Sequence, residues 1–233
     1  MADKEIKDFT VQGSPAVADK LLIQQDADDA VRYTTLDDLS DAILGRAVNV
    51  GGASHHTAFA ADGEINLIGT ARVTKHVRIG ARQWAVGSSP PDAGSLGLAL
   101  THDFDASADE EVHFALMVPH RMVAGTDIDV EVGWAYTGGA DAGTVIWALE
   151  YTTIAAGEDM TGGSTTRTKT SAGSHGNNAL VLTTFATGVQ GAVAEDVLNM
   201  RLYRDTDSDT LAVDAQLVEV RLHFTMDKLG EAT

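Results

Sequence analysis

The chain contains no cysteine, so disulfides and thiolate metal sites are excluded, although that absence does not fix the compartment. Proline is scarce at 4 of 233 residues, and aromatic residues make up only 6%. The first argues against a proline-rich linker protein, and the second against an extended stacking platform for sugars or bases. Basic residues are outnumbered, 16 against 34 acidic ones, for a net charge of −18. A field of that sign repels a phosphate backbone, so nucleic-acid binding is not expected. No apolar run approaches membrane-spanning length, so no membrane insertion is expected. The opening MADKEIKDF has no apolar stretch, which places synthesis in a cytoplasm as an expectation.

What is present is alternation. In Val197–Asp205, Leu198, Met200 and Leu202 alternate with Asn199, Arg201 and Tyr203. In Ala212–Asp227, Val218, Val220, Leu222, Phe224 and Met226 alternate with Glu219, Arg221, His223 and Thr225. Period two over such lengths predicts strands with one face in a core and the other toward water or a partner subunit. The Asp205–Thr210 tract between them, DTDSDT, is expected at an exposed hairpin tip. Further strands are expected at Glu64–Ile68, Arg72–Ile79, Val112–Val118, Asp127–Thr137, Thr144–Ile154 and Leu180–Thr187. Val112, Phe114, Leu116 and Val118 share a face, as do Ile128, Val130, Val132, Trp134 and Tyr136, and likewise Val145, Trp147, Leu149 and Tyr151. About eight such strands, with 23 glycines for turns, predict an all-β, antiparallel, jelly-roll-like β-sandwich.

Three regions separate along the chain. Residues 1–44 read as a small attachment module. Leu21–Gln24 and Val31–Thr34 form a hairpin, and Thr34 or Thr35 caps a helix through Leu44, with Asp37 and Asp38 in its first turn. Leu36, Leu39, Ile43 and Leu44 form its apolar stripe, too small a surface to be stable alone and therefore expected to dock on something else. Residues 45–62, with GGASHHTAFAADG, read as a linker or neck, and residues 63–233 as the sandwich.

Motifs for chemistry are weak. Asp205, Asp207 and Asp209 imitate the start of a calcium loop, but Thr210 and Gln216 stand where glycine and a bidentate glutamate are needed. His55, His56, His102 beside Asp103, His113 and His120 lack any zinc-binding spacing. No nucleophile elbow, phosphate loop or dinucleotide fingerprint occurs. Glu150, opposite Trp147 and Tyr151 in phase, reads as a solvated strand residue beside a groove. Trp134 and Trp147 are in phase with core positions, whereas Trp84, before the PPDAG turn, is the freer one. No catalytic, cofactor or metal residue is therefore assigned.

The blocks Glu110–Ala135, Gly143–Thr152, Asn199–Asp205 and Asp214–Gly230 resemble, in order and spacing, a family of bacteriophage virion structural proteins. Where that family has an aromatic–His pairing before Trp134, Glu131, Val132 and Gly133 stand here. Separately, Ala18–Leu39 resembles a short module at the start of phage fibre and appendage proteins. The resemblances imply a non-enzymatic virion component, made in the host cytoplasm and displayed on the virion surface. They imply a homotrimeric short fibre or capsid decoration, anchored to other phage virion proteins through Leu36, Leu39, Ile43 and Leu44. A tail fibre or receptor-binding protein recognising a host surface glycan is the alternative.

Overall fold

The computed structural model describes residues 20–25, 31–35, 48–52, 54–60, 64–138, 143–173 and 176–229. The chain divides into two compact units, Met1–Ala71 with Leu229–Thr233, and Arg72–Lys228.

In the first unit, β1 (Lys20–Gln25) pairs antiparallel with β2 (Val31–Thr35), the expected hairpin, with a register break between Leu22 and Gln24. The expected helix and its stripe of Leu36, Leu39, Ile43 and Leu44 lie outside the described residues. Within residues 45–62, read above as a linker, β3 (Val48–Gly52) and β4 (His55–Phe59) pair antiparallel. None of the β4 residues is buried, so the strand carries no apolar alternation to read. Next to β4 lies β5 (Ile65–Ile68), which was expected in the sandwich; β17 (Lys228–Leu229) completes the order β17-β5-β4-β3.

The second unit is an antiparallel β-sandwich, jelly-roll-like in that successive strands repeatedly cross between its two sheets. Its strands are β6 (Val73–Gly80), β7 (Ala85–Val86), β8 (Asp92–Leu96), β9 (Ala99–Phe104), β10 (Glu111–Met117) and β11 (Asp129–Tyr136). They continue with β12 (Thr144–Ile154), β13 (Thr165–Ala172), β14 (Val181–Thr184), β15 (Val197–Arg204) and β16 (Ala215–Met226). Sheet I has the order β13-β12-β15-β10-β7; sheet II has β14-β11-β16-β9-β8, with β6 also on β16. Among the described residues the only helical pieces are short 3-10 turns at Gly69–Ala71 and Ala81–Gln83.

The core sits between the sheets. Sheet I contributes Val112, Val145, Trp147, Leu149, Leu198 and Leu202; sheet II contributes Val130, Val132, Trp134, Leu217, Val220, Leu222 and Phe224, all fully buried. The Trp147 ring meets Phe104 edge-on at 5.2 Å and Trp134 at 6.4 Å, arrangements that favour the ring quadrupoles. Trp134 Nε1 donates to Ser171 Oγ at 3.1 Å and Thr183 Oγ1 at 3.0 Å, which offsets the burial of a polar group.

Three expectations change. Strands β15 and β16 are not a hairpin: β15 pairs with β10 and β12 in sheet I, β16 with β11, β6 and β9 in sheet II. The Asp205–Thr210 tract is therefore a connection between sheets. Val218 leaves the core face, because a register break matches Gly133 to Glu219 and Trp134 to Leu217 and skips it. Finally, Trp84 is buried and packs on Phe114 at 5.5 Å, so it is not the free aromatic.

Candidate functional site

The outer face of sheet I gathers polar side chains by register. In β15, Arg201 stands opposite His113 of β10 on one side and Glu150 of β12 on the other. One step along, Tyr203 faces Glu111, and one step back Asn199 faces Thr152. Because residues two apart share a face, this column is the solvent-side complement of Leu198, Met200 and Leu202.

The Arg201 guanidinium is held from three directions. Nε donates to Glu111, Nη1 donates to Glu150 Oε2 at 2.9 Å, and the group lies 4.6 Å from the centre of the Tyr203 ring. Glu111 Oε1 accepts from the Ser88 backbone N–H and hydroxyl, both at 2.9 Å, and Ser164 Oγ donates to Glu150. His113 Nε2 is 3.6 Å from Glu111. A shallow groove of about 220 Å³ is lined by His113, Glu150, Thr152, Ser164, Asn199 and Arg201.

Burial alone would raise the Glu111 pKa, but the Ser88 donors and then Arg201 outweigh it and hold the carboxyl down at about 2. Glu150 is lowered, first by Ser164 and then by Arg201. Arg201 is raised: burial works against its charge, yet the bonds from Glu150 and Glu111 win. Burial raises Tyr203. Both carboxylates are thus ionised near neutrality, and neither is poised to donate a proton. The array is an organised set of donors and acceptors, suited to contacts with hydroxyl groups or a polar protein face.

The other sequence candidates go elsewhere. Asp209 is drawn inward: it accepts from Arg204 Nε at 2.8 Å and Nη2 at 3.0 Å, and from the Leu211 N–H at 2.7 Å. Arg204 is fully buried, also donating to the carbonyls of Phe104, Val213 and Leu211. Asp205 accepts from the Asp207 N–H at 3.4 Å, and Asp207 is exposed. The three aspartates therefore do not converge, and among the described residues no three His, Cys, Asp or Glu are grouped to hold a metal ion. Arg204 was missed, though it continues the Leu198, Met200, Leu202 phase; that continuation is the signal that finds it.

The candidate histidines do not converge, although His76 and His223 stack at 4.3 Å across the β6–β16 pair. His55 Nδ1 accepts from the Thr70 N–H at 3.0 Å, and His120 Nδ1 lies 2.9 Å from Glu195 Oε1. His102 is buried, its pKa lowered by burial and then by Arg82, while Asp103 accepts from Thr101 Oγ1 at 2.6 Å. On the outer face of sheet II a second ion ladder runs Arg78–Glu219–Arg221–Glu131.

No family model matches the chain, and no curated protein matches it. Among solved structures it is similar to dimeric latent PorU from Porphyromonas gingivalis, at 10% identity and a TM-score of 0.27, over 67% of this chain and 13% of that one. It is also similar to TmCBM61 in complex with β-1,4-galactotriose, at 10% identity and a TM-score of 0.27, over 69% of this chain and 88% of that one. The chain thus spans a small part of PorU and most of TmCBM61.

Proposed function

We propose that this chain is a non-enzymatic structural component of a bacteriophage virion, made in the host cytoplasm and displayed on the particle as a homotrimeric short fibre or capsid decoration. The observation that carries this reading is that the two ends of the sandwich lie together. Val73 at its start stands opposite Met226 at its end, and the strands that flank it, β5 and β17, are neighbours in one sheet. A domain whose two ends lie together folds as a self-contained unit. The chain ahead of it includes the segment that resembles a phage attachment module, and the net charge of −18 favours solubility.

The test is complementation of a phage lacking this gene. With the full chain, purified particles contain the protein; with residues 1–44 deleted, they do not, although the sandwich still melts cooperatively. Absence of the full chain from particles refutes the virion role. Normal incorporation of the deletion refutes anchoring through Leu36, Leu39, Ile43 and Leu44.

A second reading, recognition of a host surface glycan, is favoured by the groove at Arg201. The Glu150 carboxylate that lines it accepts from hydroxyls, and Arg201 donates to them. A carboxylate in the groove of an acidic chain selects a neutral sugar over an anionic one. A glycan array that shows binding by the native chain and its loss in Glu150→Gln supports this reading; no binding on the array overturns it.

A further inference from the structure

Strand β16 changes partner along its length. Residues Ala215–Leu217 pair with β9, whereas Glu219–Met226 pair with β6. Val218 lies at the branch, skipped by the register break toward β11, and is only partly buried. The two partners diverge there and leave a wedge of about 280 Å³, lined among others by Arg78, Arg82, Leu98, Leu100 and Val218. Leu98 follows Gly97, whose φ of +59° makes the tight turn of the β8–β9 hairpin, and it is fully exposed, with Leu100 exposed at 60%. Arg82 is exposed and makes no ion pair among the described residues; Arg78 contacts Glu219 yet remains 66% exposed. Exposed aliphatics beside guanidinium groups are unusual on a chain with more than twice as many acids as bases.

The opposite end of the same hairpin is the electrostatic complement. Asp92 and Asp103 stand directly opposite each other in the β8–β9 register, a cross-strand pair of like charge. Asp105, Glu110 and Asp214 lie close enough to add to it: after burial, their mutual repulsion is what raises Glu110 and Asp214. The neighbouring Arg204, bonded to Asp209, offsets part of this repulsion. The acidic base holds more carboxylates than the neighbouring Arg204 balances, and the wedge at the tip holds Arg82, which has no ion pair among the described residues, beside leucines without a cover.

We infer that the wedge of Arg78, Arg82, Leu98, Leu100 and Val218 on one copy seats the acidic base of the β8–β9 hairpin, Asp92, Asp103 and Asp214, of the next copy. This rests on the homotrimer reading, because a threefold ring joins two different faces of each copy whereas a twofold joins one face to itself. The wedge and the acidic base are two such faces on one hairpin. The guanidinium groups meet the carboxylates, and the hairpin base of the next copy covers the exposed leucines.

The test uses the full chain and its mass in solution, by light scattering after gel filtration at micromolar concentration. The native chain is expected to be a trimer. Arg82→Glu with Leu98→Ser removes the wedge; Asp92→Lys with Asp214→Lys removes the acidic base. All four positions are exposed, so each variant should melt like the native chain while running as a monomer. Mixing the two variants should restore one contact, the intact wedge of the second on the intact acidic base of the first, giving a species of twice the monomer mass and nothing larger. Variants that stay trimeric, or a mixture that stays monomeric, overturn this contact and leave the trimer reading standing. A native chain that is monomeric or dimeric overturns the trimer reading itself, and the ring with it.

Discussion

Replacing Arg204 with methionine tests the interior directly. Its side chain is fully buried, and that of its partner Asp209 is 2% exposed. Methionine keeps the apolar stem and removes the guanidinium. Asp209 would then keep only the N–H donors of Leu211, at 2.7 Å, and Ile146, at 3.3 Å. The carbonyls of Phe104, Val213 and Leu211 would lose their donor at the same time. Breaking one side of a buried ion pair costs about 3–5 kcal/mol, because a charge is left uncompensated where water does not reach. Orphaned carbonyls each add about 1–3 kcal/mol in isolation, but such contributions overlap within one network, so we take about 4 kcal/mol as the whole. Against a stability of about 5–15 kcal/mol, that is a large share, and at about 2–4 °C per kcal/mol the melting temperature should fall by roughly 8–16 °C. The double variant Arg204→Met, Asp209→Leu should recover part of the loss, since removing both charges removes the buried carboxylate. Thermal melts followed by circular dichroism, with urea titrations beside them, measure both. A loss under about 1 kcal/mol for Arg204→Met would mean that the pair is solvated and that this corner is not closed.

Two further outcomes follow from the same geometry. The folded pKa of Glu111, about 2, lies below its ordinary 4.5, so its contribution is complete above pH 4.5 and is lost as the pH falls from there toward 2. That contribution is at most about 3 kcal/mol, less because Arg201 is partly solvated; Glu111→Gln should flatten the acid limb of a pH–stability curve, and an unchanged limb refutes the assignment. At the β16 bulge, Val220→Asp should prevent folding or cost several kcal/mol, whereas Val218→Asp should cost distinctly less, since Val220 is fully buried and Val218 is only partly buried. Equal losses in thermal melts would show that the register runs through Val218 without a break.

The faces of the long strands are written in the residues themselves. Thr144–Ile154 is read from sequence with the same bounds as β12, and Val145, Trp147 and Leu149 are buried where alternation puts them. Polar Asn199, Arg201 and Tyr203 are likewise readable as the outward column of β15. That they form a site with Glu111 and Glu150 is not, because pairing with β10 and β12 is what brings them together. Strand β13 escapes notice for another reason: TTRTKTSA at a sheet edge has hardly any buried residue, so no apolar period marks it.

Alternation is a local, one-dimensional property: the peptide pleat determines which face a side chain takes, and burial selects apolar residues for one of them. It therefore determined, from sequence alone, the all-β class, most core residues and the outward polar columns. Sheet membership depends instead on contacts between residues far apart in the chain. Only the tertiary structure decided that β15 and β16 belong to opposite sheets, and that Trp84 has Phe114 to cover it. Likewise it closed an acidic turn over a buried arginine, with Asp209 turned inward because Arg204 arrives beneath it and a lone buried charge would cost more than the pair.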